Sequence, residues 1–245
     1  MPNQKLPKHI AIVMDGNGRW AQQQHKPRVF GHRAGVQTVR EIVKICAKKQ
    51  IEVLSLFAFS SENWSRPQRE VNFILNLFLE ALNREVHELN QNNIRIYFVG
   101  DQSPLKLELR QKMQQAEELT RNNTGLKLVI AVNYGGQWDI LQAVQKIARQ
   151  VETGNLKSTE IDFSLLNNLI GIAGLPQPDL FIRTSGEQRI SNFFLWQLAY
   201  TELYFTDTPW PEFREEALEQ ALAHYNKKQR RFGKTSEQIK EYENA

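Results

Sequence analysis

The sequence predicts a single α/β domain built on a mostly parallel central sheet flanked by helices. Three observations carry that expectation. Short β-branched apolar runs alternate with longer segments of helical periodicity along the whole chain, the pattern of strand–helix–strand crossovers. One of these runs, residues 51–59 (IEVLSLFAF), is almost continuously apolar, as a strand covered on both faces must be. No linker, repeat, low-complexity stretch or shift in composition divides the 245 residues, so one domain is expected, with a core of about 6–233 and a polar tail over 234–245.

The first strand is the run around Ile10, Ile12 and Val13, and it ends on Asp15. Gly16 and Gly18 then permit a sharp turn, and Pro27 interrupts any helix begun there. A helix follows over Ala34–Gln50, with Val36, Val39, Ile42, Val43, Cys46 and Ala47 on one stripe. After the 51–59 strand comes a polar loop, Ser60–Pro67, and then a long helix from Pro67 to about Asn90. The first half of that helix is apolar around most of its circumference. Either it packs against both the sheet and a second helix, or part of it walls a greasy channel. Strands over Ile94–Val99 and Leu126–Asn133 are each followed by a helix, at Pro104–Thr120 and Trp138–Glu152. Next come a short helix at Phe163–Ile170, a strand at Asp179–Arg183 and an aromatic-rich helix at Ser191–Tyr200. The last strand is Glu202–Phe205, and a closing helix over Glu212–Arg231 ends in the basic cluster Lys227, Lys228, Arg230 and Arg231.

Composition narrows the function classes. A hydrophobic fraction of 41% supports a real core, and a formal charge of +4 is only mildly basic. That balance suits anionic small molecules or a phospholipid surface and gives no case for nucleic acid. Cys46 is the sole cysteine, which excludes an intramolecular disulfide and a cysteine-built metal site, and its apolar neighbours imply a buried thiol. Met1–Lys8 is polar with two prolines, unlike a signal peptide, and no apolar run approaches the ~20 residues that span a bilayer. A cytoplasmic protein is expected.

The chemistry gathers at strand ends. Gly16–Gly18 could offer backbone N–H groups to phosphate oxygens, but Asp15 at the mouth of the turn has the wrong sign for phosphate alone. A divalent cation between Asp15 and a diphosphate resolves the conflict, with Arg19 adding positive charge. Residues 16–21 also match a G-x-G-x-x-A dinucleotide fingerprint, yet Asp15, Pro27 and the absence of an acid at the end of the next strand make the match accidental. Further strand ends carry Ser60, Glu62, Asn63 and Arg66, then Asn133 and Tyr134, then Arg183, Thr184, Ser185 and Arg189, with Arg28 and His32 in the first loop. In a parallel sheet these termini share one edge, and arginine is the natural bidentate partner of diphosphate oxygens. Each residue has an innocent alternative, a surface charge or a helix cap. Together with a greasy helix behind the second strand, they suit a ligand with a diphosphate head and a long apolar tail. That tail is expected between the Val71–Leu82 helix and the 51–59 strand, where alternation puts Leu54, Leu56 and Ala58 on one face.

The blocks Met14–Trp20 (MDGNGRW), Phe30–His32, Phe59–Trp64 (FSSENW), Asn133–Gly136, Arg183–Glu187, Arg189, Ser191–Phe193 and Glu202–Phe205 (ELYF) carry a resemblance. In that order they resemble the cis-prenyltransferases, most of all the bacterial branch that makes undecaprenyl diphosphate, over Leu6 to Gly233. The resemblance implies a homodimeric, magnesium-dependent enzyme that condenses farnesyl diphosphate with successive isopentenyl diphosphates. Each new double bond is cis, the product is a lipid carrier precursor for the cell wall, and a membrane surface is met at product release. By matching positions, Asp15 holds Mg²⁺ and acts on the allylic diphosphate, which Gly16, Asn17, Gly18, Arg19, Trp20, Arg28 and His32 cradle. Ser60, Ser61, Glu62, Asn63, Trp64 and Arg66 form a flexible loop that positions isopentenyl diphosphate, with Asn63 near the proton-loss step. Arg183, Arg189 and Ser191 bind the isopentenyl diphosphate head, and Glu202 assists the metal. Relatives with histidine before the second arginine can reach the metal there, whereas this chain has Gln188.

The DDxxD pairs of the all-helical trans-prenyltransferases do not occur. Two rival readings are an inactive lipid-binding subunit of the same fold, which should lack Asp15 or the Arg183/Arg189 pair, and a nucleotide enzyme resting on the poor fingerprint.

Overall fold

The computed structural model describes residues 5–228. Six strands, β1 (His9–Val13), β2 (Val53–Ser60), β3 (Arg95–Val99), β4 (Lys127–Tyr134), β5 (Leu180–Arg183) and β6 (Glu202–Phe205), form one sheet in the order β3-β4-β2-β1-β5-β6. Every pairing is parallel. From β1 the chain places β2 beside it, crosses to β3 at the edge, fills the gap with β4, and then returns to add β5 and β6 on the other side. The C-terminal end of β1 is therefore the point where strand order switches, the place where open α/β sheets leave a crevice for ligands. Val13 is in register with Phe57 of β2 and with Arg183 of β5, so the residues that follow these three strands emerge together.

Seven α-helices complete the described fold: α1 (Asn17–Gln23), α2 (Arg28–Lys48), α3 (Gln68–Gln91), α4 (Leu107–Thr120), α5 (Gly136–Glu152), α6 (Phe163–Asn167) and α7 (Glu215–Asn226). Strand alternation divides the core in two. Ile10, Ile12, Leu54 and Leu56 pack on one face with Ile42 and Cys46 of α2, Val71 and Val86 of α3 and Leu222 of α7. Ala11, Val13, Val53 and Phe57 face the other way against Tyr134, Phe193 and Phe194. Cys46 is fully buried, and burial pushes its thiol up to about 12.

Several elements differ from expectation. A helix does begin immediately after Gly16, and it ends at Gln23, ahead of Pro27. Pro27 also serves as the N-cap of α2, which starts at Arg28 and not at Ala34. Arg28 and His32 therefore sit on the first turns of a rigid helix, not in a loop. The polar segment after β2 holds a 3-10 turn, Ser61–Ser65, capped reciprocally by Ser60 and Asn63. Residues 191–200 are not helical: Ser191, Asn192 and Phe194 all have positive φ, and these turns drive Phe193 and Phe194 into the core. The closing helix is shorter, because Pro209 opens a 3-10 turn at Trp210–Glu212 first. Arg230, Arg231 and the polar tail from 234 lie outside the described residues.

Of the many apolar residues on α3, only Val71, Leu82 and Val86 are fully buried. Ile74, Leu77, Phe78 and Ala81 border a cavity while the same helix packs on the sheet core and against α4, so the fold realises both readings.

Candidate active site

Asp15 leaves β1 with its backbone fixed by Thr184, which follows β5. The Asp15 N–H donates to Thr184 Oγ1 at 2.8 Å, and that hydroxyl donates to the Asp15 carbonyl at 2.7 Å. Its carboxylate is shared among three groups: Oδ2 accepts from Arg183 Nη2 at 2.8 Å, Oδ1 accepts from the Gly16 N–H at 2.6 Å, and Arg19 Nη2 lies 3.3 Å from Oδ1. Partial burial pushes the Asp15 carboxyl up, but the Arg183 contact, with Gly16 and Arg19, outweighs it and holds the group below the usual carboxylate range. Gly16 turns the chain with φ +97°, and a Cβ there would fall 2.5 Å from Ser185 Oγ. No side chain caps α1, whose first turn faces this point.

A second cluster lies where α2 begins. Arg28 folds over Gly18, whose missing Cβ leaves room for the guanidinium. Glu70, on the first turn of α3, collects three basic groups: Arg66 Nη1 at 3.1 Å, Arg28 Nε at 3.3 Å and His32 Nε2 at 3.6 Å. Burial pushes Glu70 up, while Arg28 and Arg66 more than offset it and keep the group ionised. His32 is held below its ordinary value, first by burial.

The third cluster follows β5. Arg183 is buried, with 5% of its side chain exposed, and its Nη1 donates to the Arg189 carbonyl at 2.7 Å and to Ser191 Oγ. Glu187 joins the outer arginines: Arg19 Nη1 is 2.9 Å from Oε1, and Arg189 Nη1 approaches Oε2. The capped turn after β2 is tied in by Asn192, which donates to Glu62 Oε1 at 2.7 Å and accepts from the Gln137 N–H at 2.9 Å.

The fold thus brings Asp15, Gly16, Asn17, Gly18, Arg19, Arg28, His32, Ser60, Glu62, Asn63, Arg66, Arg183, Arg189 and Ser191 to the border of one cavity. Trp20 turns aside and donates to Glu212 Oε1 at 2.7 Å. Ser61 packs against Gly135, and Trp64 donates inward to Asn133 Oδ1 at 2.8 Å with its ring edge-on to Phe59. Glu202 is in register with Leu180, whereas Phe205 pairs with Arg183. Glu202 therefore lies at the opposite end of the sheet from Asp15, and the two do not meet within one chain.

Sequence reading missed Glu70 and Glu187 as members of the site. Glu70 carried one signal, its i,i+4 spacing from Arg66. Glu187 stands two residues before Arg189, but its pairing with Arg19 is set by tertiary structure.

From this polar mouth the cavity, 1120 Å³ in volume, continues between α2 and α3 over the sheet. Leu56 and Ala58 of β2, with Leu128 and Ile130 of β4, form its floor, and Val39, Val43, Ile74 and Phe78 its sides. Ala58 is the extra residue of a β-bulge, since Phe57 and Phe59 pair with the consecutive residues Ala131 and Val132. Among the described residues no three His, Cys, Asp or Glu side chains gather as a metal cage. Mg²⁺ does not require one: it is commonly held by one or two carboxylates plus phosphate oxygens, and Asp15 beside arginine-lined anion space supplies that donor set.

A model of the family described as "Putative undecaprenyl diphosphate synthase" matches residues 13–233. The chain belongs to the undecaprenyl diphosphate synthase family. A ditrans,polycis-undecaprenyl-diphosphate synthase ((2E,6E)-farnesyl-diphosphate specific) from Legionella pneumophila strain Paris is 56% identical over 235 residues, covering 96% of this chain and 99% of that one. A relative of the same name from Coxiella burnetii is 53% identical over 234 residues, with the same coverage. Among solved structures, lavandulyl diphosphate synthase from Lavandula x intermedia, in complex with dimethylallyl diphosphate, superposes with a TM-score of 0.92 at 38% identity. The match covers 95% of this chain and 100% of that one. A probable undecaprenyl diphosphate synthase from Campylobacter jejuni gives 0.77 at 32% identity with the same coverage. The family excludes the nucleotide-enzyme reading, and the blocks that carried the resemblance all fall within the matched region.

Proposed function

We propose that the enzyme condenses farnesyl diphosphate with successive isopentenyl diphosphates, adding cis units, to make undecaprenyl diphosphate for cell-wall synthesis. The observation that carries this reading is the continuity of one cavity, which joins three arginine-bearing clusters at its mouth to a long apolar channel behind them. A diphosphate head with a growing prenyl tail matches both halves.

The residues divide the work as follows. Arg19 and Arg28, with the backbone of Gly16–Gly18, neutralise the allylic diphosphate, and His32 borders the same subsite. Arg189 and Ser191 take the isopentenyl diphosphate head, with Arg183 behind them as their brace. Arg66 and Asn63 bring the capped turn over both, with Asn63 beside the carbon that loses its proton. Asp15 keeps Oδ2 on Arg183, and its carboxylate, which borders the cavity, would hold Mg²⁺. Asp15 would thereby place positive charge against the leaving diphosphate. The apolar channel excludes water from the carbon as it gains cationic character.

Glu202 cannot join Asp15 inside one chain, so a contribution to the metal requires a second copy; a homodimer is the arrangement we propose. Among the described residues no helix is long and apolar enough to cross a membrane, and we place the enzyme in the cytoplasm, meeting the bilayer peripherally when product leaves.

The test incubates purified protein with farnesyl diphosphate, radiolabelled isopentenyl diphosphate and Mg²⁺, and resolves products by chain length. Label in long-chain polyprenyl diphosphates is expected. Label confined to short products, or none, would refute the reading.

A further inference from the structure

The cluster that follows β5 and the capped turn that follows β2 meet at one side chain, Asn192. Ser191 and Asn192 are consecutive residues in left-handed backbone, with φ 50° and 60°. Such conformations cost free energy in residues other than glycine and persist where the surrounding contacts hold them. Here they send two neighbouring side chains to different tasks. Ser191 Oγ accepts from Arg183 at the anion-binding end, while the Asn192 amide reaches across to the turn.

Asn192 is anchored from behind. Its backbone carbonyl accepts from the Gly136 N–H at 2.6 Å, and its Oδ1 accepts from the Gln137 N–H at 2.9 Å. These are the first two N–H groups of α5, whose own N-cap, Gly135, has no side chain to satisfy them. Both oxygens of Asn192 are thus committed to a 17-residue helix, and from that platform its amide nitrogen donates to Glu62 Oε1 at 2.7 Å. A Cβ on Gly135 would fall 2.7 Å from both Asn192 Nδ2 and Ser61 Oγ, so the bare glycine lets the turn close on Asn192.

On the other side of the contact, Glu62 is built into its turn. Its Oε2 accepts from Ser60 Oγ, its N–H donates to the same hydroxyl at 3.2 Å, and its carbonyl accepts from Ser65 Oγ at 2.7 Å. Asn63 Oδ1 takes the Ser60 N–H at 3.2 Å, and the Asn63 carbonyl takes the Arg66 N–H at 3.1 Å. The turn is therefore one hydrogen-bonded piece, and whatever holds Glu62 also places Asn63 and Arg66. Burial pushes the Glu62 carboxyl up, but the Ser60 and Asn192 donors more than offset it, so the acceptor is charged and the bond is of the stronger kind.

We propose that Asn192 is a positioning residue for the condensation: it latches the turn that carries Asn63 and Arg66 to the segment that takes the isopentenyl diphosphate head. The proposal rests on the chain-elongation reading above. Asn192 acts through Glu62 and the turn, so its loss is felt at the second substrate more than at the first.

The experiment measures steady-state kinetics for both substrates, with thermal melts, on the wild type, Asn192→Asp, Glu62→Gln and Asn192→Asp/Glu62→Gln. Asn192→Asp keeps the acceptor for the Gln137 N–H but sets two carboxylates face to face. It should lower kcat/KM for isopentenyl diphosphate about tenfold or more, with a much smaller change in KM for farnesyl diphosphate and a melting temperature near that of the wild type. Glu62→Gln retains an acceptor without the charge and should lose less. In the double variant the bond re-forms in the opposite direction, the amide on the turn donating to the carboxylate at position 192, and most of the lost kcat/KM should return. No recovery in the double variant would show that Asn192→Asp acts by repelling diphosphate, and would overturn the latch; so would wild-type kinetics for Asn192→Asp. If Asn192→Asp melts below the assay temperature, Gly135→Ala decides the matter. Gly135 has extended backbone, φ −150°, so the added methyl meets only the turn and Asn192 and wedges them apart. A loss specific to isopentenyl diphosphate supports the latch, and unchanged kinetics overturn it. A wild type that performs no first condensation would overturn the elongation reading itself, a result distinct from normal condensation with indifferent variants.

Discussion

Asp15 and Arg183, 168 positions apart in sequence, meet through a 2.8 Å hydrogen bond at the one place where the sheet changes direction. The contact makes Asp15 a structural partner as well as a candidate metal ligand, because a buried guanidinium depends on its charge.

Asp15→Ala is therefore expected to lower turnover by orders of magnitude and also to destabilise the fold, by about 1.5–3 kcal/mol for a lost charge-assisted hydrogen bond. Asp15→Asn retains the shape and should lose the turnover with a smaller drop in melting temperature. Near-normal rates for either variant at saturating Mg²⁺ would remove Asp15 from the mechanism. The folded-state carboxyl lies below its unfolded value of about 3.9, so its stabilisation is complete above that pH and fades as acid titrates the folded group.

Arg189, with 60% of its side chain exposed, is a cleaner probe of the proposed isopentenyl diphosphate subsite than buried Arg183. Arg189→Ala should raise KM for isopentenyl diphosphate about tenfold and leave that for farnesyl diphosphate nearly unchanged. Arg183→Ala should impair both substrates and lower the melting temperature, since Asp15, the Arg189 carbonyl and Ser191 all lose a partner. Equal effects of Arg189→Ala on the two KM values would mean the subsites are assigned the wrong way round.

Ala58 lies on the channel floor and is only partly buried. Ala58→Leu should shorten products while sparing the first condensations, with little change in melting temperature. Unchanged products with a melting point lowered by the equivalent of ~1–3 kcal/mol would show that the position is packed core.

His9 is fully buried at the opposite end of the sheet, with Nδ1 2.7 Å from the Pro176 carbonyl and Nε2 2.7 Å from Ser55 Oγ. Burial drives it down from 6.5 to about 4, so the neutral ring is the folded form. A proton taken up by the unfolded chain below pH 6.5 is refused by the folded one until about pH 4. Stability should be fully present above pH 6.5 and fall by about 3 kcal/mol across that window. Denaturant melts of wild type and His9→Gln at several pH values check this: the variant, though less stable at neutral pH, should lose that part of the slope.

Much of this was legible in the residues. Apolar runs located all six strands within a few positions, because burial of the inner strands on both faces leaves no other pattern, and even edge strand β6, only partly buried, keeps Leu203, Tyr204 and Phe205. Residues 28–33 were harder: Pro27 marks the end of one helix and equally the start of the next, and local chemistry does not say which. Residues 191–200 defeated periodicity altogether, since their aromatics reach the core through left-handed turns and not along a helix stripe. The arginines at strand ends were readable because a parallel sheet puts those ends on one edge. Their carboxylate partners Glu70 and Glu187 were less so: the steps to Arg66 and Arg189 leave a local trace, but the pairings with Arg28, His32 and Arg19 cross elements and leave none. Glu202 illustrates the converse: motif order suggested a place beside Asp15, and strand register sets it at the far end.

The placement of β1 between β2 and β5 also orders events in time. A nascent chain of about 140 residues already contains β1 to β4 together with α2 and α3, enough to form the channel's floor and sides. It does not yet contain Arg183 or the turns that carry Phe193 and Phe194. At ~5–20 residues per second, roughly a hundred further residues take on the order of 5–20 s to emerge. For that interval the ribosome holds an apolar trough whose mouth lacks the Arg183 cluster and whose sheet lacks the covering of its second face. Chains arrested near residue 140 should therefore be captured by chaperones that read exposed hydrophobic surface, and chains released after β6 and α7 should escape them.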